Sequence, residues 1–368
     1  MRLLISGGGT GGHIYPALAL IKRLKERHQL DAVLYVGTKK GLEADIVTKA
    51  GIPFETIEIQ GFRRKLTTEN ITTINKFRKS LGRAKTLIQE FQPDIVIGTG
   101  GYVCAPVCYE ASRLHIPTMI HEQNSVAGLS NKFLAHFVDR VAYVFPEVAH
   151  QFSEQKKLVQ TGNPRAQEVS TLKPQGILST LGMNSDLRTL LIVGGSRGAE
   201  PLNKAVIAAL PELSEKSYQV LFITGRALYD NVRENIGSLA EKPNIKVLPY
   251  LDNLSQLLPE ISVLCGRSGA TTLAEITALG IPSILIPSPY VTHDHQNKNA
   301  DYLVKSSAAV LLPEVELNGR SLVAAADHIL LDSEVWQRMH MAALSLATPD
   351  ASDKMISEML SLIRQYHH

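Results

Sequence analysis

A chain of 368 residues is long enough for about two domains. Its 44% apolar and 20% charged residues are those of an ordinary globular protein with a sizeable core. A net charge of +3 gives no reason to expect nucleic acid as a partner, no apolar run reaches the ~18 residues of a membrane span, and three cysteines (Cys104, Cys108, Cys265) without a CxxC pair suit a reducing cytoplasm.

The chain opens on a strand, RLLIS at 2–6, whose apolar run is too short for a signal peptide. GGGTGG follows at 7–12, and then His13. Glycine at that density means tight turns and a close approach of backbone to something. Gly7, Gly9 and Gly12 satisfy the G-x-G-x-x-G of dinucleotide sites. The next strand, AVLYV at 32–36, runs into GTKK with no acid to hold a ribose, which argues against nicotinamide chemistry. A glycine turn feeding a helix still offers N–H groups and a partial positive charge, worth ~0.3–1 kcal/mol toward an anion.

Residues 63–85 carry Arg63, Arg64, Lys65, Lys76, Arg78, Lys79, Arg83 and Lys85 against one acid, Glu69. That segment nets +7 and leaves −4 for the rest of the chain. Apolar residues, among them Phe77 and Leu81, are threaded through it. Such a run is either a solvated helix face or a contact with anionic lipid, where each cation gains ~1 kcal/mol. No RNA-binding module accompanies it.

Strands are expected at 94–98 (DIVIG), 117–120 (TMIH) and 140–144 (RVAYV), with a break at TGNPRAQEV, 161–169. The opening then repeats: RTLLIVGGSRGA at 188–199 is again strand, glycine turn and helix. Further strands read at 189–193, 219–223, 245–248, 261–264 and 283–286. ATTLAEITAL at 270–279 is a helix whose only charge is Glu275, a carboxylate that needs a partner such as ribose hydroxyls. His293 and His295 flank Asp294, but positions two apart diverge on a helix, so a polar helix start is expected there and no metal site. An amphipathic helix at about 350–366 ends the chain.

Continuous apolar strands alternating with helices predict an α/β fold of two doubly wound Rossmann-like domains facing an interdomain cleft. Neither glycine loop carries a Walker lysine, and no Asp-x-Asp occurs, so helix N-termini and glycine amides are expected to hold phosphate without a metal.

Six motifs in this order, GGTGGH (8–13), GTGGYVCAP (98–106), HEQN (121–124), GGSRGA (194–199), RSGATTLAE (267–275) and HDHQNKNA (293–300), closely resemble the MurG family. These bacterial UDP-N-acetylglucosamine (UDP-GlcNAc) transferases convert lipid I to lipid II in peptidoglycan synthesis. The resemblance spans nearly the whole chain and implies the GT-B fold, inversion at the anomeric carbon and no cofactor. It places an acceptor domain at 1–162, a UDP-GlcNAc domain at 163–345, and 346–368 back on the first. By position it assigns the sugar nucleotide to Thr10, Gly11, Gly12 and Asn124, with Arg165 more loosely. In the second domain it assigns Ser196 to the diphosphate, backbone near Leu251 to uracil, Glu275 to ribose and Gln296 to the sugar hydroxyls, with Ala270 and Thr271 alongside. Gly101 and Tyr102 fall to the acceptor diphosphate. Cys104-Ala105 stands where many relatives have Ser-Gly, and Arg197 where many have Gln.

The reaction needs a base for the 4-hydroxyl of N-acetylmuramic acid. Imidazole exchanges protons near neutrality, so His13 is a candidate base or acceptor-diphosphate ligand, and Glu122 is its rival as base. The implied partners are UDP-GlcNAc, lipid I, the anionic inner leaflet at the cytoplasmic face, and other cell-wall proteins. The alternatives are a UDP-GlcNAc 2-epimerase and a non-catalytic UDP-sugar-binding scaffold.

Overall fold

The computed structural model describes residues 1–59, 69–195 and 198–366; for 69–75 and 292 it describes backbone alone. The chain divides into two units, Met1–Glu168 with Asp350–His368, and Val169–Pro349. The division falls a few residues past 162. The helix Pro164–Ser170 is tied at its start to the first unit, where Ser352 Oγ donates to Pro164 O and Gln167 bonds Asp353.

The first unit holds seven parallel strands: β1 (Arg2–Gly7), β2 (Ala32–Gly37), β3 (Phe54–Thr56), β4 (Ile95–Gly100), β5 (Thr118–Glu122), β6 (Arg140–Tyr143) and β7 (Leu158–Gln160). Their order is β3-β2-β1-β4-β5-β6-β7. The second unit has β8 (Thr189–Val193), β9 (Gln219–Ile223), β10 (Ile245–Leu248), β11 (Val263–Gly266), β12 (Ser283–Leu285) and β13 (Ala309–Leu311), ordered β10-β9-β8-β11-β12-β13. In both sheets the order reverses beside the first strand, and the crevice outside the strand ends at such a point is where ligands bind. The glycine loops after β1 and β8 sit at these two places.

Three strands have no counterpart in the sequence reading: β3, β7 and β13. Each is three residues long and lies at a sheet edge, paired on one side only. A fourth is displaced. Residues 261–264 were expected as a strand, yet β11 starts at Val263 because Ile261 closes a turn through its N–H to Leu258 O.

The last helix, Ala351–Tyr366, lies on the first unit. Its apolar stripe, Met355, Ile356, Met359 and Leu362, is buried with Leu3, Ile5, Ile14 and Leu20. Burial of each such side chain is worth about 1.5–3 kcal/mol. The polar edge is fixed by Asp353, which accepts from Arg23 Nε (2.9 Å) and Nη2 (2.8 Å), Arg27 Nη1 (2.8 Å) and Gln167 Nε2 (2.6 Å). The Arg23 guanidinium, with Gln167 and Arg27, holds this carboxyl well below the usual range. Its folded pKa being depressed, its stabilisation is complete above about pH 4 and is lost as the pH falls. Asp353→Ala is therefore expected to cost about 1–2 kcal/mol at neutral pH and to flatten the acid limb of stability, read by denaturant melts at pH 7 and pH 3.

Candidate active site

In the first unit the turns after β1 and β4 meet. Gly8 N–H donates to Gly100 O at 3.2 Å. Gly101, at φ +84°, leaves only 2.6 Å between an added Cβ and Gly8 O, so no other residue fits. Tyr102 follows, 41% exposed, at the foot of the helix Cys104–Arg113. Cys104 is buried with its Sγ 2.9 Å from both Ser6 O and Gly100 O, either of which can accept its one thiol proton. Burial pushes that thiol up to about 12, so it acts as the hydroxyl of a serine would, as a strut.

Thr10 and Gly11 carry the chain into the helix Gly11–Glu26, and His13 N–H closes the turn on Thr10 O at 3.1 Å. His13 lies half-buried with its Nδ1 2.7 Å from Gly8 O. A carbonyl only accepts, so Nδ1 carries the proton in the neutral ring and Nε2 keeps its lone pair. Nε2 lies over Gly100, where an added Cβ would come within 2.8 Å.

Glu122, at the end of β5, is buried. Oε1 accepts from Asn124 N–H (3.0 Å) and Nδ2 (3.5 Å), while Oε2 accepts from Gly128 N–H (2.9 Å) and Asn131 Nδ2 (2.8 Å). The carboxylate thus shapes the loop that presents Asn124. His121 beside it is fully buried; burial draws its imidazole down to about 4, so it stays neutral. Its Nε2–H donates to Gly162 O, and Nδ1 accepts from Gln123 Nε2, each at 2.9 Å. Arg165 belongs to the first unit, pairs with Glu168 and lies 5.6 Å from the ring of Tyr15.

Sequence reasoning missed Glu43. It is 1% exposed, and its Oε2 accepts from Gly9 N–H at 3.0 Å. The one available signal was an acid set two residues after Gly41, at the start of a helix.

In the second unit the loop after β8 turns at Gly195 (φ +94°) and Gly198 (φ +76°) into the helix Glu200–Leu213. Ser196 and Arg197 lie outside the described residues. After β11, Gly269 caps the helix Ala270–Leu279, which carries Ala270, Thr271 and a half-buried Glu275. The turn before it is bound to the helix His295–Lys305: Ser268 Oγ donates to Gln296 O (2.7 Å) and Asn299 Nδ2 to Ser268 O (3.2 Å). Gln296 Oε1 accepts from Ser288 N–H at 2.8 Å, so what its side chain can offer a ligand is the Nε2 donor pair. Leu251 lies in the turn after β10, beside Tyr250, whose ring Arg226 covers at 4.5 Å. Among the described residues no group of His, Cys, Asp and Glu is placed to hold a metal.

Residues 3–143 match the glycosyltransferase family 28 N-terminal domain and residues 189–355 the family 28 C-terminal domain. The chain is 55% identical over 366 residues to the UDP-N-acetylglucosamine--N-acetylmuramyl-(pentapeptide) pyrophosphoryl-undecaprenol N-acetylglucosamine transferase of Lacticaseibacillus casei, covering 99% of both. It is 51% identical over 369 residues to the protein of that name in Lactobacillus delbrueckii subsp. bulgaricus, covering 99% of this chain and all of the other. The crystal structure of Acinetobacter baumannii MurG is similar at a TM-score of 0.78 and 28% identity, over 98% of this chain and 99% of that one. A UDP-N-acetylglucosamine 2-epimerase described as putative, from Listeria monocytogenes, shares the fold at 14% identity, with a TM-score of 0.70 over 99% and 97% of the chains.

Proposed function

Because the chain belongs to glycosyltransferase family 28 and, within it, to the MurG family, we propose that it transfers N-acetylglucosamine from UDP-GlcNAc to the 4-hydroxyl of N-acetylmuramic acid in lipid I, giving lipid II for the cell wall. The observation that carries this reading is the 55% identity to a transferase of that name along 99% of the chain.

The first unit receives the acceptor. Gly101 and Tyr102 meet its diphosphate, and His13 Nε2 takes the proton of the attacking hydroxyl. The oxygen then bonds to the anomeric carbon from the face opposite UDP, the carbon–oxygen bond to the diphosphate breaks, and the configuration inverts. The second unit holds the donor: Ser196 and the start of the helix Glu200–Leu213 take the diphosphate, Glu275 the ribose and Gln296 Nε2 the sugar hydroxyls. Leu251 meets uracil through its backbone, with Ala270 and Thr271 beside it. Thr10, Gly11, Gly12, Asn124 and Arg165 contact the sugar nucleotide from the first unit. His13 is favoured as base over Glu122 because all four described contacts of Glu122 are donors already spent on the 124–131 loop.

Labelled UDP-GlcNAc incubated with and without a lipid I analogue tests the reaction. Label reaching lipid only when acceptor is present supports transfer. Epimerised sugar without acceptor indicates an epimerase, and UDP binding without turnover indicates a scaffold.

The protein docks peripherally on the inner leaflet. Among the described residues no helix is long and apolar enough to cross a membrane. On the helix Glu69–Phe91, Ser80, Ala84, Leu87 and Ile88 form the buried face, while Arg78, Lys79, Arg83 and Lys85 are exposed. Phe77 and Leu81 are half-buried and stand two turns before Ala84 and Ile88, on the buried face rather than among the cations. Two cations are already met by acids, Lys76 by Glu58 at 3.5 Å and Arg83 by Glu55 at 2.9 Å. Arg63, Arg64 and Lys65 lie outside the described residues. The double substitution Arg78→Ala/Lys79→Ala is expected to remove roughly 2 kcal/mol, about 30-fold in affinity for anionic vesicles at low salt. Equal sedimentation of wild type with anionic and zwitterionic vesicles would refute the docking.

A further inference from the structure

The peptide between Gly8 and Gly9 is gripped at both ends. Its carbonyl accepts from His13 Nδ1 at 2.7 Å, and its N–H donates to Glu43 Oε2 at 3.0 Å. Glu43 reaches that place from the helix Leu42–Lys49, whose first turn it occupies. Its other oxygen accepts from Thr38 N–H at 2.9 Å and Thr38 Oγ1 at 2.6 Å. The carboxylate is 1% exposed and seated among glycines. A Cβ added at Gly8 would fall 2.4 Å from Oε1, one at Gly41 2.2 Å from it, and one at Gly37 2.6 Å from Cγ. The hydrogen bonds from Thr38 and Gly9 draw its pKa down although burial works the other way, so the group is a carboxylate at neutral pH.

A peptide unit is a rigid plane, so fixing its N–H fixes the direction of its carbonyl. A charged acceptor on the N–H also polarises the amide and strengthens the bond its oxygen accepts. Carboxylate, amide and imidazole thus form a line, with a main-chain amide where a catalytic carboxylate–histidine pair has direct contact. We infer that Glu43 is a positioning residue for the transfer reaction, holding the Gly8–Gly9 amide so that His13 keeps its proton on Nδ1 and presents Nε2 to the acceptor hydroxyl. This rests on the assignment of His13 as base. It adds a residue outside the six motifs and explains why a glycine loop suited to anions has a buried negative charge behind it.

The test pairs turnover with a readout that needs no turnover, the ¹⁵N chemical shifts of the His13 ring, which report its tautomer. Glu43→Gln retains size but turns one acceptor into a donor, so either Gly9 N–H or Thr38 N–H loses its partner. The expected result is a kcat lowered about 10- to 100-fold, KM for UDP-GlcNAc within about twofold, and a His13 ring that no longer holds the Nδ1–H form alone. A Glu43→Gln protein with wild-type kcat, or with His13 still wholly Nδ1–H, overturns the inference. Should Glu43→Gln fail to fold, Thr38→Val removes the hydroxyl bond alone: a partial tautomer shift supports the role of Glu43, and an unchanged ring rejects it. If the wild type transfers no sugar, the proposed function fails, while the ring shifts still report whether Glu43 sets the tautomer.

Discussion

His13→Ala is expected to lower kcat about 10²–10⁴-fold, the usual contribution of a general base, with KM for UDP-GlcNAc changed no more than about twofold. The split follows from geometry. The imidazole contributes two contacts to the first loop, both through Nδ1, to Gly8 O at 2.7 Å and to Thr10 Oγ1 at 3.4 Å, and the residues proposed to hold the donor, Glu275 and Gln296, belong to the second unit. His13 is only half-buried, so the protein should fold without it. His13→Gln is the sharper variant, since an amide can still donate to Gly8 O yet cannot take a proton at neutral pH. Glu122→Ala should behave differently. It strands donors on Asn124, Gly128 and Asn131 in a buried place, at about 1–3 kcal/mol for each that stays dry, so activity and melting temperature should fall together. A His13→Ala enzyme with most of its turnover would remove the imidazole from the chemistry. A Glu122→Gln enzyme that is fully folded and inactive would transfer the role to the carboxylate.

Gly198→Ala should have the second large effect, on the donor side. The residue sits at φ +76°, where an L side chain costs about 1–2 kcal/mol. An added Cβ would also stand 2.2 Å from Thr224 O, a backbone atom that cannot swing aside. That oxygen accepts from Asn203 Nδ2 at 3.0 Å, and Thr224 N–H bonds Leu248 O at 3.0 Å, so shifting it disturbs β9, β10 and the helix Glu200–Leu213 together. With overpacking adding about 1–3 kcal/mol, the total is roughly 2–5 kcal/mol of stability. UDP affinity should drop about 10- to 100-fold because the loop before that helix is displaced. Calorimetric titration with UDP, beside a thermal melt, reads both. An alanine variant that binds UDP as wild type does would show that the loop between β8 and the helix is not where the diphosphate rests.

Much was legible in the residues themselves. The central strands of both sheets are covered on two faces, so they appear as unbroken apolar runs such as LLI at 3–5 and LLIV at 190–193. Glycine loops announce themselves because only glycine tolerates the angles at Gly101 and Gly198. The helix Ala270–Leu279 was readable to the residue, with Gly269 before it and Gly280 closing it at φ +67°. The three edge strands were not: FET, LVQ and AVL are too short for periodicity, and each is held by a neighbour on one side.

Local sequence therefore determined the central strands, the two doubly wound halves and the loops at their switch points, because burial on both faces and left-handed turns restrict which residues can stand there. Tertiary structure alone decided what those loops touch. Glu122 lies in a motif and looks free to accept a proton until Asn124, Gly128 and Asn131 are seen around it. Glu43 lies in no motif, yet its carboxylate and His13 hold opposite ends of one peptide plane. Whether partners lie nine residues apart, as Glu122 and Asn131 do, or 34, as Glu43 and Gly9 do, their meeting is set by how strands, loops and helices pack, and no spacing along the sequence encodes that.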